Sequence, residues 1–171
     1  NAIGEPGLAL EREPDRLYPQ TSLAAHVIGF TDTDGKGNAG IERAMNDRLA
    51  DQAMRGQPLQ LSISSRVQQA LEHELLDAMT KHSAVGAAGV ILDIHTGEIL
   101  AMTSLPQLNP NAAGQGSPEA RFNRATLGVY EMGSTFKALT LAMALDSGKA
   151  NLNTLFDARG ALHYGKFAIK D

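Results

Sequence analysis

The chain has 171 residues, a formal net charge of -4, 43% hydrophobic and 20% charged residues, and no cysteine. That length suits one ordinary domain of a globular protein. The acidic balance and the lack of any Lys/Arg run give no footing for nucleic acid, and the missing thiols exclude disulfides and Cys-based metal sites.

Residues 1–57 are rich in turn formers and charge and hold too few large apolar side chains for a core of their own. Leu23 to Phe30 is apolar enough to pack as a short helix or strand. Thr31 to Gly40 is a polar loop punctuated by glycines, and Ile41 to Ala50 alternates at helical spacing. Gln57-Pro58 marks a boundary, and Leu59-Gln60-Leu61-Ser62-Ile63 alternates with period two, as a strand does. Ser64 or Ser65 can cap a helix from Val67 to about His82, with Val67, Leu71, Leu75 and Met79 at i+4 spacing and Ala70 and Ala78 alongside.

Gly86 to Asp93 and Glu98 to Leu105 read as a hairpin turning at Ile94-His95-Thr96-Gly97. From Pro106 to Ala120 runs a polar loop with three prolines, of a length that is often functional or mobile. A helix from Ser134 to about Asp146 is apolar on nearly all sides and so is expected in a core, with Gly148 as its stop. Ala161 to Tyr164 and Phe167 to Lys170, split by Gly165, form a second hairpin, and the end at Asp171 reads as a strand stopped in mid-fold. No stretch reaches the roughly 18 apolar residues of a membrane span. The chain opens on Asn1 without a signal-peptide pattern, so a piece excised from a longer protein is expected.

The chemistry concentrates at the start of the apolar helix, in Tyr130-Glu131-Met132-Gly133-Ser134-Thr135-Phe136-Lys137. A serine hydroxyl needs a base within hydrogen-bond reach, and a lysine at i+3 shares its helix face. The helix dipole favours negative charge on Ser134 and disfavours an ammonium at Lys137. Burial near the core expected around Phe136, Ala138 and Leu139 acts on the lysine in the same sense. Free N–H groups of the first turn can hold an oxyanion. The implied reaction is acyl transfer through a serine ester. Ser-x-x-Lys alone is a weak pattern, since serine is also a common helix cap.

The longer string resembles the active-site tetrad of the penicillin-binding proteins, usually Tyr-Glu-Pro-Gly-Ser-x-x-Lys, with Met132 in place of the proline. Ala87-Ala88-Gly89-Val90 through Thr96-Gly97-Glu98-Ile99-Leu100-Ala101-Met102 is similar to the two strands before the tetrad. Asn109-Pro110-Asn111 and Phe122-Asn123-Arg124-Ala125 resemble the linking segment. Arg16-Leu17-Tyr18-Pro19, His26-Val27-Ile28-Gly29-Phe30 and Gly37-Asn38-Ala39-Gly40-Ile41-Glu42 resemble the pedestal of class B enzymes, and Asp34-Gly35-Lys36-Gly37 is most similar to the septal, division-specific branch. Ser64-Ser65 stands where Asp is usual.

The resemblance implies an α+β fold, an antiparallel sheet with helices, with residues 1–57 closing a non-catalytic pedestal (dimerisation) domain and 58–171 opening a transpeptidase domain. It implies a peptidoglycan D,D-transpeptidase of septal cell-wall synthesis, with Ser134 as nucleophile, its backbone N–H in the oxyanion hole, and Lys137 as general base. The implied partners are peptidoglycan stem peptides, β-lactams and division or cell-wall synthesis proteins including a glycosyltransferase. No cofactor, metal or nucleic acid is implied, and a membrane is met only through a single-span anchor upstream, at the periplasmic face of the inner membrane.

The family's Ser-x-Asn and Lys-Thr-Gly motifs do not follow Lys137 here, so this stretch by itself is expected to be catalytically crippled. A class D-like serine β-lactamase and a non-catalytic binding fragment of the division machinery remain alternatives. His26, His73, His82, His95 and His163 have no metal-ligand spacing, and Asp32-Thr33-Asp34-Gly35 reads as a solvated turn rather than a calcium loop. Glu131 reads as a structural carboxylate at the helix entry.

Overall fold

The computed structural model describes residues 16–157 and 159–170, which fall into two compact units divided between Val129 and Tyr130. Residues 1–15 of the segment read as a pedestal lie outside the described residues, as does Asp171. The architecture is mixed α+β with antiparallel pairing throughout.

In the first unit, Ala25–Ile28 (α1) is a single helical turn that ends at Gly29. The helical spacing beyond it gives two short helices rather than one, Gly40–Ala44 (α2) and Asn46–Ala50 (α3), because Met45 (φ -112°, ψ 20°) leaves the helical region between them. The loop from Thr31 to Gly37 closes on itself: Asp32 Oδ1 accepts the N–H groups of Asp34 at 3.1 Å and Lys36 at 2.8 Å. Arg16 Nε donates to Glu42 Oε1 at 2.8 Å, and this bond holds the guanidinium above its ordinary pKa. Tyr18 is buried, which pushes its phenol up, and its hydroxyl accepts the Thr31 N–H at 3.1 Å.

Gly29 and Gly40 press backbone against backbone. Both have positive φ, +82° and +56°, and a Cβ on Gly40 would sit 2.6 Å from the Gly29 nitrogen. A Cβ on Gly29 would overlap the Ala39 carbonyl. Gly29→Ala is therefore expected to cost about 2 kcal/mol or more, read as a lowered urea midpoint with an unchanged slope.

Leu59 to Ile63, expected as a strand, is not one. It runs beside the hairpin but forms no ladder: its contacts there are Ser62 Oγ to the Ile99 carbonyl at 2.8 Å and, just beyond it, the Ser64 N–H to the Leu100 carbonyl at 2.9 Å. Alternation reports a two-sided extended chain, whereas a strand needs regular pairing. Ser65–Lys81 (α4) follows, with Ser64 at the N-cap position but no capping bond from its side chain. Val67, Leu71, Leu75 and Met79 are half-buried as their spacing requires, while Ala70 and Ala78 are exposed.

Ala87–Leu92 (β1) and Ile99–Leu105 (β2) pair antiparallel from Ala87↔Leu105, with a register shift at Ile91/Leu92. Their turn is fastened by Asp93, whose Oδ1 accepts the N–H groups of His95 at 2.8 Å and Thr96 at 3.1 Å. Those bonds hold the Asp93 carboxyl below the usual carboxylate range. One face of the hairpin lies on α4. A Cβ on Gly89 would meet Leu75 Cδ1 at 2.9 Å and Leu71 Cδ1 at 3.0 Å, so glycine is what lets helix and strand approach.

The stretch after β2 is far more ordered than a polar loop. It holds a 3-10 turn (Pro110–Gln115), Pro118–Arg121 (α5) and Arg124–Leu127 (α6). Pro110 and Pro118 start the first two of these instead of breaking them, with Asn109 and Ser117 capping by accepting the N–H groups of Asn111 at 3.0 Å and Ala120 at 3.2 Å. Leu108 and Ala113 are buried against Ala25, with Phe30 packed on them. The core of residues 16–57 is thus borrowed from the 106–122 connector, which accounts for the few large apolar residues in that segment.

In the second unit a 3-10 turn (Gly133–Phe136) runs into Lys137–Asp146 (α7), closed after Ser147 by Gly148 at φ +67°. Leu162–Tyr164 (β3) and Phe167–Ile169 (β4) form the expected hairpin about Gly165. The core helix expected here is instead exposed, with Leu139 at 61% and Met143 at 66%. One helix and a hairpin of three-residue strands offer no second layer to cover it. Among the described residues no helix is long and apolar enough to cross a membrane.

Candidate active site

The backbone at the candidate nucleophile is shaped by Gly133. Met132 is in the right-handed region, and Gly133 follows at φ +52° with open space where a Cβ would stand. Glycine is required here for its conformation, not for room. The chain then winds as a 3-10 turn, with the Thr135 N–H on the Met132 carbonyl at 3.1 Å and the Lys137 N–H on the Ser134 carbonyl.

A 3-10 turn eclipses positions i and i+3, so the backbone sets Ser134 and Lys137 one above the other more closely than an α-helix would. The N–H groups of Gly133 and Ser134 donate to no backbone carbonyl among the described residues, which leaves them free for an anion. Side-chain hydrogen bonds along this stretch come from Thr140 to the Phe136 carbonyl and from Ser147 to the Ala144 carbonyl; Ser134 and Lys137 make none. Both are exposed, as are Phe136, Ala138 and Leu139, so the buried neighbourhood expected around Lys137 is not present. Glu131 is exposed and outside the helical turn. Among the described residues no cluster of His, Asp and Glu could hold a metal.

The most elaborate polar arrangement lies elsewhere and escaped the sequence reading. Gln68, fully buried, donates Nε2 to Glu72 Oε1 at 2.8 Å, to the Met102 carbonyl at 2.9 Å and to Thr103 Oγ1 at 2.9 Å. Its Oε1 accepts the Met102 N–H at 2.9 Å. Glu72, 8% exposed, also accepts the Ala24 N–H at 2.9 Å and Gln107 Nε2 at 3.3 Å. No buried side-chain polar atom among the described residues lacks a partner. A signal for this network existed: at about 100° per residue, Gln68 falls on the same helix face as Leu71, Leu75 and Met79.

His26 is half-buried in the same region, and Nε2 meets the Ala120 carbonyl at 2.7 Å. A carbonyl only accepts, so that nitrogen carries the proton. Burial, partly opposed by the carbonyl, pushes its pKa below the ordinary value. The neutral form is the folded form, so its stabilisation is complete above about pH 6.5 and is lost as pH falls through the lowered folded value. Thermal midpoints measured from pH 8 to 5 are expected to fall on the acid side, and His26→Gln, which keeps an N–H donor, should flatten that fall.

A groove of about 720 Å³ lies along residues 16–61, lined by Ile28, Ile41, Leu49, Met54 and Leu61 among others, with neither serine nor lysine in its wall. It offers no nucleophile–base pair.

Residues 87–171 match the family described as Penicillin binding protein transpeptidase domain. The chain is 48% identical over 170 residues, 99% of its length, to a Caulobacter vibrioides protein named Probable peptidoglycan D,D-transpeptidase FtsI, of which it covers 29%. It is 32% identical over 174 residues, 89% of its length, to Escherichia coli peptidoglycan D,D-transpeptidase FtsI, of which it covers 30%. It thus spans about a third of the length of these relatives. A crystal structure of penicillin-binding protein 3 from Mycobacterium tuberculosis, complexed with aztreonam, superposes with a TM-score of 0.78 at 25% identity, over 95% of this chain and 39% of that one.

Proposed function

The chain belongs to the penicillin-binding protein family, in its class B, septal branch, with residues 87–171 in the transpeptidase domain, and from that premise we propose that Ser134 is the nucleophile of a D,D-transpeptidase. The observation that supports the reading is the 3-10 entry to α7, which puts the Lys137 N–H on the Ser134 carbonyl and leaves the N–H groups of Gly133 and Ser134 without a backbone acceptor.

In the proposed reaction Lys137 acts as general base and takes the Ser134 hydroxyl proton as Oγ attacks the carbonyl carbon of the penultimate D-Ala of a stem peptide. The tetrahedral oxyanion is held in part by the Ser134 N–H. Collapse breaks the peptide bond, and the ammonium of Lys137 returns the proton to the departing D-Ala amine. An amine of a second stem then attacks the ester, forms the cross-link and releases Ser134. A β-lactam meets the same serine: its ring C–N bond opens, and the acyl group stays on Oγ.

We read residues 1–57 as the end of the pedestal and 58–171 as the first part of the transpeptidase domain. The pedestal surface is our candidate for contact with division or cell-wall synthesis proteins, a glycosyltransferase among them. The site of action is the periplasmic face of the inner membrane, reached through a single-span anchor upstream.

The test uses the gene product carrying this chain, a stem-peptide analogue ending in a thioester, and D-alanine as acceptor. Thiol release with transfer to D-alanine is the expected result. No thiol release, or rapid turnover of benzylpenicillin as a hydrolase would give, would contradict the reading.

A further inference from the structure

The groove of about 720 Å³ along residues 16–61 is the largest feature of the first unit that the acyl-transfer chemistry leaves unused. Ile28, Ile41, Leu49, Met54, Leu59 and Leu61 in its wall are all half-buried. Leu59 and Leu61 also border a second cavity, of about 290 Å³, with Leu23 and Ile63. The chain from Leu59 to Leu61 therefore runs with apolar space on both sides, ahead of a bend at Ser62.

The backbone of this run is open as well. The N–H groups of Leu59, Gln60 and Leu61 donate to no acceptor among the described residues. A row of open N–H groups beside an apolar groove is a template for an added strand, with the ladder giving affinity and the groove taking alternate side chains.

Charge and connectivity single out the occupant. Arg48 and Arg55 stand in the groove wall and make no ion pair among the described residues, whereas Glu42 is taken by Arg16. Arg16 is itself in the wall, and the described residues begin there, so the chain before it leaves from the groove. Just upstream, Leu8-Ala9-Leu10-Glu11-Arg12-Glu13 is free of glycine and proline and is bounded by Gly7 and Pro14. Leu8 and Leu10 fall on one face of an extended chain, with Glu11 and Glu13 on the other. Apolar groove meets apolar face, and unpaired arginines meet carboxylates. A segment tethered this closely also needs no partner concentration to bind.

We propose that residues 8–13 occupy this groove as a strand added along Leu59 to Leu61, with Leu8 and Leu10 in the apolar wall and Glu11 and Glu13 toward Arg48 and Arg55. The docking would close residues 1–57 onto the start of the transpeptidase segment through their own N-terminal stretch.

The experiment is amide hydrogen exchange, resolved to single residues, on the gene product carrying this chain and on its Leu10→Asp variant. In the wild type, alternate amides between Leu59 and Leu61 are expected to exchange about a hundredfold more slowly than in an open chain. Leu10→Asp, which sets a carboxylate against apolar side chains, should remove that protection while the amides of α4 keep theirs. Where Leu10→Asp loses the α4 amides too, Leu10→Asn makes the same comparison with a milder change. Open-chain exchange at Leu59, Gln60 and Leu61 in the wild type would overturn the proposal. Protection that survives both Leu10 substitutions would overturn it as well, by assigning the groove to another segment or partner. So would protection that grows with protein concentration, which would make a second copy the occupant.

Discussion

Ser134→Ala is expected to abolish covalent capture of a β-lactam, a loss on the order of ten-thousandfold or more in acylation rate, as for other catalytic serines that act as a unit with their base. The expectation follows from where Ser134 stands. Its hydroxyl makes no hydrogen bond within the described residues, and it opens a helix whose first N–H groups are unpaired. Removing Oγ takes away the nucleophile and disturbs little else, so folding should be retained. Lys137→Ala should cost roughly a hundred- to ten-thousandfold, the usual worth of a general base. Lys137→Arg should not restore it, because a guanidinium keeps its proton and cannot take one from a hydroxyl. A variant series in which Ser134→Ala still accumulates adduct at the wild-type rate would remove the serine from the mechanism.

The largest effect on stability is expected at Gln68. Its amide serves Glu72, Met102 and Thr103 from a fully buried position. Gln68→Ala would strip a donor from the Glu72 carboxylate, leave both backbone groups of Met102 without that partner, and open a cavity. A loss of about 3–4 kcal/mol is expected from unsatisfied groups of this kind. Gln68→Glu should be at least as damaging, since it sets a second carboxylate against Glu72 in a buried place and removes the donors that Glu72 and the Met102 carbonyl receive. Urea unfolding of the two variants checks this; a shift of less than about 1 kcal/mol in either would mean the network is dispensable.

How much of this was legible in the sequence follows from what each signal measures. The β1–β2 hairpin and α4 were, because alternation, a Thr-Gly turn and i+4 spacing are local and agree with the packing they meet. The strand expected over Leu59 to Ile63 was not, because pairing depends on a neighbour that alternation does not name. The connector after β2 misled through its prolines, which at the first position of a turn promote helix instead of disorder. In the candidate site, the Ser134–Lys137 relation was readable because i, i+3 spacing is a local property. The exposure of α7 was not, since burial belongs to the layers around a helix and not to its own composition. The Gln68–Glu72 network went unread because two polar residues on an apolar face look like solvated positions until their partners, on β2 and at Ala24, are seen.

The most direct test of the central claim is the mass of one peptide. Benzylpenicillin is added to the gene product carrying this chain, the protein is digested with trypsin, and the peptide spanning residues 125–137 is fragmented. The account predicts a penicilloyl increment on Ser134, absent from the Ser134→Ala variant. An adduct on any other residue, or an unmodified peptide after prolonged exposure, would contradict it.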